Sequence, residues 1–129
     1  MNSILIVERN EGVAELFAEL FAQDGWTVTT YNDGLRAVDA IRSSTPYAAV
    51  VLSNRLLGMS GVELIGRIRA FAHRKDVPIV MVTGTVDVTV VAGALAAGAD
   101  DVLYKPADLG ILVDTVNKRV ERARRHRDT

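Results

Sequence analysis

The 129-residue sequence contains no cysteine, only three prolines, one tryptophan and two histidines, and no apolar run approaching the thickness of a bilayer. The missing thiols exclude disulfides, thiolate metal sites and thiol catalysis, and agree with a reducing compartment. Without a run of about 20 apolar residues a membrane-spanning helix is not expected. Neither sign of charge dominates, since 15 Lys and Arg face 16 Asp and Glu, so no global field draws the chain to nucleic acid or to an anionic membrane. His73 and His126 have no partners at metal-ligand spacing and read as surface residues. Met1-Asn2-Ser3 leads straight into a strand-like run with no basic leader, and the expectation is a soluble cytoplasmic protein.

What the chain does have is apolar content, 49% of its residues, which is ample for one buried core in a single domain spanning 1–129. Short apolar runs at Ile4–Val7, Ala48–Leu52, Ile79–Val82 and Val102–Tyr104 have the composition of strands covered on both faces. A more polar, β-branched run, Thr27–Tyr31, suits an edge strand. Between them lie segments with helical spacing. Val13, Leu16, Phe17 and Leu20 follow Asn10 as N-cap, and Val38 and Ile41 follow Asp33-Gly34. Ser60-Gly61-Val62-Glu63 is a capping-box pattern before Leu64, Ile68 and Phe71. An alanine- and valine-rich segment from Asp87 to Ala97 stops at Gly98, and Asp108 is placed to cap a last helix carrying Leu109, Leu112, Val113, Val116 and Val120.

Five strand–helix alternations with short connections describe an α/β fold, a doubly wound parallel sheet with helices on both faces. In such sheets ligands gather outside the carboxyl ends of the strands, where strand order reverses. The residues at those ends are Glu8, Arg9 and Asn10, then Ser53 and Asn54, then Thr83 and Gly84, and finally Lys105.

These positions, with Ile4–Asn10, Val50–Ser53, Gly58-Met59-Ser60-Gly61, Pro78–Gly84, Ala97–Asp101 and Lys105-Pro106 in this order and spacing, make almost the whole chain resemble the receiver domain of two-component signalling. The resemblance implies a five-stranded flavodoxin-like (βα)5 fold of strand order 2-1-3-4-5. It also implies a chemistry: a carboxylate ending the third strand takes a phosphoryl group from a kinase phosphohistidine, and an acidic pair after the first strand holds Mg²⁺. A Thr or Ser and a Lys contact the product, because charge spread over the phosphoryl oxygens needs cations and donors. It further implies a cis peptide at Lys105-Pro106, although an X–Pro bond is trans in most cases.

Transferred residue by residue, the pattern is only partly kept. Thr83 and Lys105 match, and Glu8 retains the first acid. Arg9 replaces the second acid, and Ser53 stands where the phosphoacceptor belongs. A neutral hydroxyl with no neighbouring base is a poor nucleophile, and Mg²⁺ anchored by one or two carboxylates finds only Glu8. The expectation is therefore a lost Mg²⁺ site, no cofactor and no enzymatic role, with Arg9 or Lys105 paired to Glu8 in a charge-compensated pocket. At the family's switch position, three residues before the Lys, Val102 replaces an aromatic ring. Tyr104, on the same strand face, is a partial substitute, and Leu57 replaces a usual proline.

The resulting reading is a degenerate receiver that binds a protein partner without phosphorylation. That partner would be a histidine kinase, another receiver, an output domain or a second copy of itself, and it would dock on Val86–Leu103 and Leu109–Val120. Rival readings are a conventional phospho-receiver with a non-standard or engineered site, and a flavodoxin-like ligand-binding protein. The latter lacks a glycine-rich phosphate loop, having Glu8-Arg9-Asn10-Glu11-Gly12 instead. The segment 118–127 holds six of the 15 basic residues. It reads as the solvated end of the last helix, where cations suit the helix dipole, or as the lead into an output domain. Nucleic-acid contact is confined to this segment, and base stacking is not expected because it has no aromatics.

Overall fold

The computed structural model describes residues 2–127; the Met1 start and the 128–129 end of the basic segment lie outside the described residues. Strands β1 (Ser3–Val7), β2 (Thr27–Tyr31), β3 (Tyr47–Leu52), β4 (Ile79–Thr83) and β5 (Asp101–Tyr104) alternate with helices α1 (Glu11–Gln23), α2 (Gly34–Arg42), α3 (Gly61–Ala70), α4 (Val88–Ala97) and α5 (Leu112–Arg127). All pairings are parallel and the strand order is β2-β1-β3-β4-β5. This is the doubly wound sheet expected from the alternation, and its order reverses between β1 and β3.

The central strands bury both faces, which is why they read as unbroken apolar runs. Leu5, Val7, Val50, Leu52 and Met81 pack under α2, α3 and α4, while Ile4, Ile6, Val51, Val80 and Val82 pack under α1 and α5. β5 departs from the expectation of cover on both faces. It pairs only with β4, and of its residues only Leu103 is buried. The stripe of α1 is also rotated from the expected one: Phe17 and Phe21 are buried and Leu16 is exposed. Two i, i+4 phenylalanines bury more area than two leucines and set the helix's facing.

Helix starts fall where their caps stand. Asn10, Asp33, Ser60 and Asp87 each accept a backbone N–H from the first turn of α1, α2, α3 and α4. Asp108 does not cap α5. Its carboxylate accepts the Tyr104 N–H at 2.8 Å, closing the turn after β5, and a 3-10 turn at Leu109–Ile111 precedes the helix. The apolar side of α5 is as expected, with Leu112, Val116 and Val120 buried.

Two arginines unmarked in the sequence tie the far side of the sheet. Arg74, in a 3-10 turn at Ala72–Arg74, donates to the carbonyls of Ile41, Ser43 and Thr45 and lies over the Tyr47 ring. Burial lowers its pKa from the ordinary arginine value. Arg69 donates to the Gly98 and Val77 carbonyls and to Asp100, linking α3 to the turn after α4.

Candidate binding cleft

Glu8 follows β1 directly and is 4% exposed. Its backbone N–H bonds the Tyr31 carbonyl, continuing the pairing with β2 by one residue. One carboxylate oxygen accepts the Asn10 N–H at 2.9 Å and the other accepts the Lys105 ammonium at 2.5 Å. Of the two cations expected to compete for Glu8, Lys105 therefore takes it, and Arg9 stays exposed at the lip. The backbone explains the choice. The Lys105 N–H bonds the Thr83 carbonyl, extending the β4–β5 ladder past the strand and carrying the side chain across the sheet end. The Lys105-Pro106 peptide is cis, as the resemblance implied.

Ser53 follows β3, is 3% exposed, and donates its N–H to the Val7 carbonyl at 3.0 Å. Its Oγ has no hydrogen-bond partner among the described residues. The loop beyond is folded back tightly. The Gly61 N–H bonds the Asn54 carbonyl at 2.7 Å, and Asn54 Oδ1 accepts the Val62 N–H. A Cβ at position 61 would overlap the Ser53 carbonyl oxygen, so only glycine lets α3 begin this close to the strand end. Thr83, also buried, accepts the Thr85 N–H on its hydroxyl oxygen at 3.2 Å.

These strand ends enclose a cavity of about 720 Å³. The strand-end residues singled out from the sequence, Glu8 to Asn10, Ser53 and Asn54, Thr83 and Gly84, and Lys105, all line it. Sequence reasoning missed Arg55 and Thr85, which also line it; reading each loop one or two residues further past its strand would have found both. Val102 and Tyr104 do not line it. Val102 packs against the core under α3 and α4, and Tyr104 is partly buried at the end of β5. The backbone of Leu57 donates to the Asn32 carbonyl and accepts the Gly34 N–H, tying the β3–α3 loop to the start of α2. Among the described residues, Arg9, Arg55 and Lys105 line the cavity with a single carboxylate, Glu8. Among the described residues, no group of three or more His, Asp or Glu side chains is placed to hold a metal ion.

The response regulator receiver domain model matches residues 4–117. The chain belongs to this family. The receiver is 34% identical over 119 residues to the transcriptional regulatory protein CseB of Streptomyces avermitilis, covering 92% of this chain and 49% of that protein. The DNA-binding response regulator MtrA of Mycobacterium tuberculosis is likewise 34% identical, over 92% of this chain and 50% of its own length. The chain therefore spans about half the length of the curated relatives it matches. Among solved structures, the receiver domain of the sensor histidine kinase PA1611 from Pseudomonas aeruginosa PAO1 is 27% identical, with a TM-score of 0.83 over 93% of this chain and 98% of that one. That domain has a magnesium ion coordinated in its active-site cleft. The expected fold, strand order and family all stand. Among the described residues, no helix is long and apolar enough to cross a membrane.

Proposed function

We propose that this receiver is a cytoplasmic signalling module that neither binds Mg²⁺ nor accepts a phosphoryl group, and that it acts by binding a protein partner constitutively. The observation that carries the reading is that Glu8, the one carboxylate lining the cleft among the described residues, is already held by Lys105. The donor set does not fit Mg²⁺. That ion needs near-octahedral oxygen ligands anchored by carboxylate, and here both oxygens of Glu8 are engaged while Arg9 stands next to it. Ser53 adds to the argument, because among the described residues its hydroxyl is hydrogen-bonded to no base that could remove the proton. Such a site has no catalytic role; it holds a fixed charge arrangement in a family whose members change theirs.

The partner-binding surface we favour is the α4–β5–α5 side. Val86 and Val88 are 80% and 79% exposed at the entry to α4, and Leu95 and Ile111 are half exposed. Exposed apolar side chains on these elements are available to a histidine kinase, another receiver, an output domain or a second copy of the chain. The basic end of α5 supports nucleic-acid contact less well. Lys118 faces Asp114, Arg119 forms two bonds with Asp101, and Arg125 faces Glu121.

The direct test is to incubate the protein with acetyl phosphate and Mg²⁺ and weigh it intact. An unchanged mass, with no heat of Mg²⁺ binding at millimolar concentration, is the expected outcome. A labile phosphoryl adduct that requires Mg²⁺ would show instead that the domain works as a conventional receiver.

A further inference from the structure

We infer that α1 of one chain docks against the end of α5 of a second copy, in a two-fold dimer held by opposite charge. This interface goes beyond the proposed function and leaves the α4–β5–α5 side free. α1 holds three glutamates and no basic residue. Glu11, Glu15 and Glu19 recur at i, i+4 and i+8, all exposed, on the side turned away from the buried Phe17 and Phe21. Like charges at i, i+4 destabilise a helix, and among the described residues none of the three is in an ion pair. A facing row of cations would relieve that repulsion.

The chain supplies such a row. From Lys118 to Arg127, α5 has six bases and one acid, Glu121. Lys118, Arg122 and Arg125 lie opposite the buried Val116 and Val120. Two of them face acids of their own helix, Asp114 and Glu121, but exposed pairs of this kind contribute little and exchange partners readily. Arg119 bonds Asp101, which holds residue 119 at the amino end of β5, and Asn117 donates to Asp24 just past α1. After Val120 no described residue of α5 is buried, so about two turns of helix project beyond the sheet.

Both helices run from the carboxyl to the amino ends of the strands. With Asn117 level with Asp24, Glu15 and Arg122 stand about 20 Å apart along one chain, too far to pair there and beyond a Debye length at physiological salt. A two-fold axis crossing α1 and α5 sets α1 of one copy antiparallel to α5 of the other. Four residues of helix rise about 6 Å, so both rows climb at nearly the same rate. Glu19 then falls opposite Lys118, Glu15 opposite Arg122 and Glu11 opposite Arg125, and every contact occurs twice. Charge complementarity sets partner and register more than it raises affinity. The dimer is therefore weak and sensitive to salt.

The experiment is sedimentation velocity of the whole chain over a concentration series, at low ionic strength and again at high. A dimer whose dissociation constant rises about tenfold or more with salt is expected. Glu15→Lys with Glu19→Lys should be monomeric, and so should Lys118→Glu with Arg122→Glu. An equimolar mixture of the two variants should form a heterodimer, because each presents the charge that the other lacks. A parent that stays monomeric at every concentration at low ionic strength overturns the interface. So does a dimer that salt leaves unchanged or strengthens, which would place the contact on the apolar α4 side, and so does a mixture that stays monomeric while both variants melt as the parent does. Where a reversed chain fails to fold, the neutral variant Glu15→Gln with Glu19→Gln takes its place, and an undiminished dimer in that variant overturns the interface as well.

Discussion

The two halves of the cleft teach different things. In the half built by β4 and β5, whose residues match what the resemblance implies, Thr83 is buried at its strand end, Lys105 reaches across the sheet, and Lys105-Pro106 is cis. The half built by β1 and β3 has Arg9 beside Glu8 and Ser53 at the cleft, and on the proposed reading it keeps the backbone while differing in charge. The Ser53 N–H still bonds the Val7 carbonyl, and Gly61 still lets α3 start against it. On the proposed reading, scaffold and electrostatics are separable here. A sheet end is fixed by ladder hydrogen bonds and close packing, whereas phosphoryl chemistry needs negative charge that a metal can bridge.

If that separation is right, restoring charge alone should restore chemistry, and this is the largest effect expected. In Ser53→Asp with Arg9→Asp, incubation with acetyl phosphate and Mg²⁺ should yield a phosphoryl adduct by intact mass, and the parent protein should yield none. The same variant should melt at a temperature that rises with Mg²⁺, because adjacent carboxylates in a cleft repel until a cation lies between them. A double variant that folds but stays unmodified would break the comparison, since it would place the defect in the β4–β5 half instead.

The next effect probes the kept half. Lys105→Met leaves Glu8 buried without its cation. Removing one partner of a buried pair costs about 3–5 kcal/mol; the Lys105 side chain is 24% exposed, so water screens part of this and about 2 kcal/mol is expected in urea unfolding. Glu8→Gln combined with Lys105→Met should recover most of the loss. Thr83→Val should cost less, about 1 kcal/mol, by removing the acceptor for the Thr85 N–H and shortening the ordered start of the β4–α4 loop.

How far the sequence could be read follows from the same division. The strands of the core declared themselves because residues such as Ile4–Val7 and Ile79–Val82 are apolar on both faces, and the helix starts because Asn10, Asp33, Ser60 and Asp87 are chemically suited to caps. The cleft declared itself through strand ends. What stayed hidden depends on side-chain reach. Nothing in the local sequence shows that Lys105 rather than Arg9 takes Glu8, that Asp108 closes the turn after β5 instead of capping α5, or that Arg74 crosses to three carbonyls about 30 residues away in sequence. Such contacts are set by tertiary geometry, which composition and periodicity do not carry. The rotated stripe of α1 is a milder case, where Phe17 and Phe21 outweighed Leu16 in deciding the buried side.

The smallest effect is the sharpest test of the altered half. Ser53→Ala removes a buried hydroxyl that bonds nothing among the described residues, so no hydrogen bond is lost and one desolvated polar atom disappears. Chemical unfolding should show a change within about 0.5 kcal/mol, or a slight gain, since deleting an unsatisfied group recovers its desolvation cost. A loss of 2 kcal/mol or more on Ser53→Ala would mean that Oγ has a structural partner after all, and the contrast between a kept scaffold and a changed charge would fail at the position where it is most exposed to test.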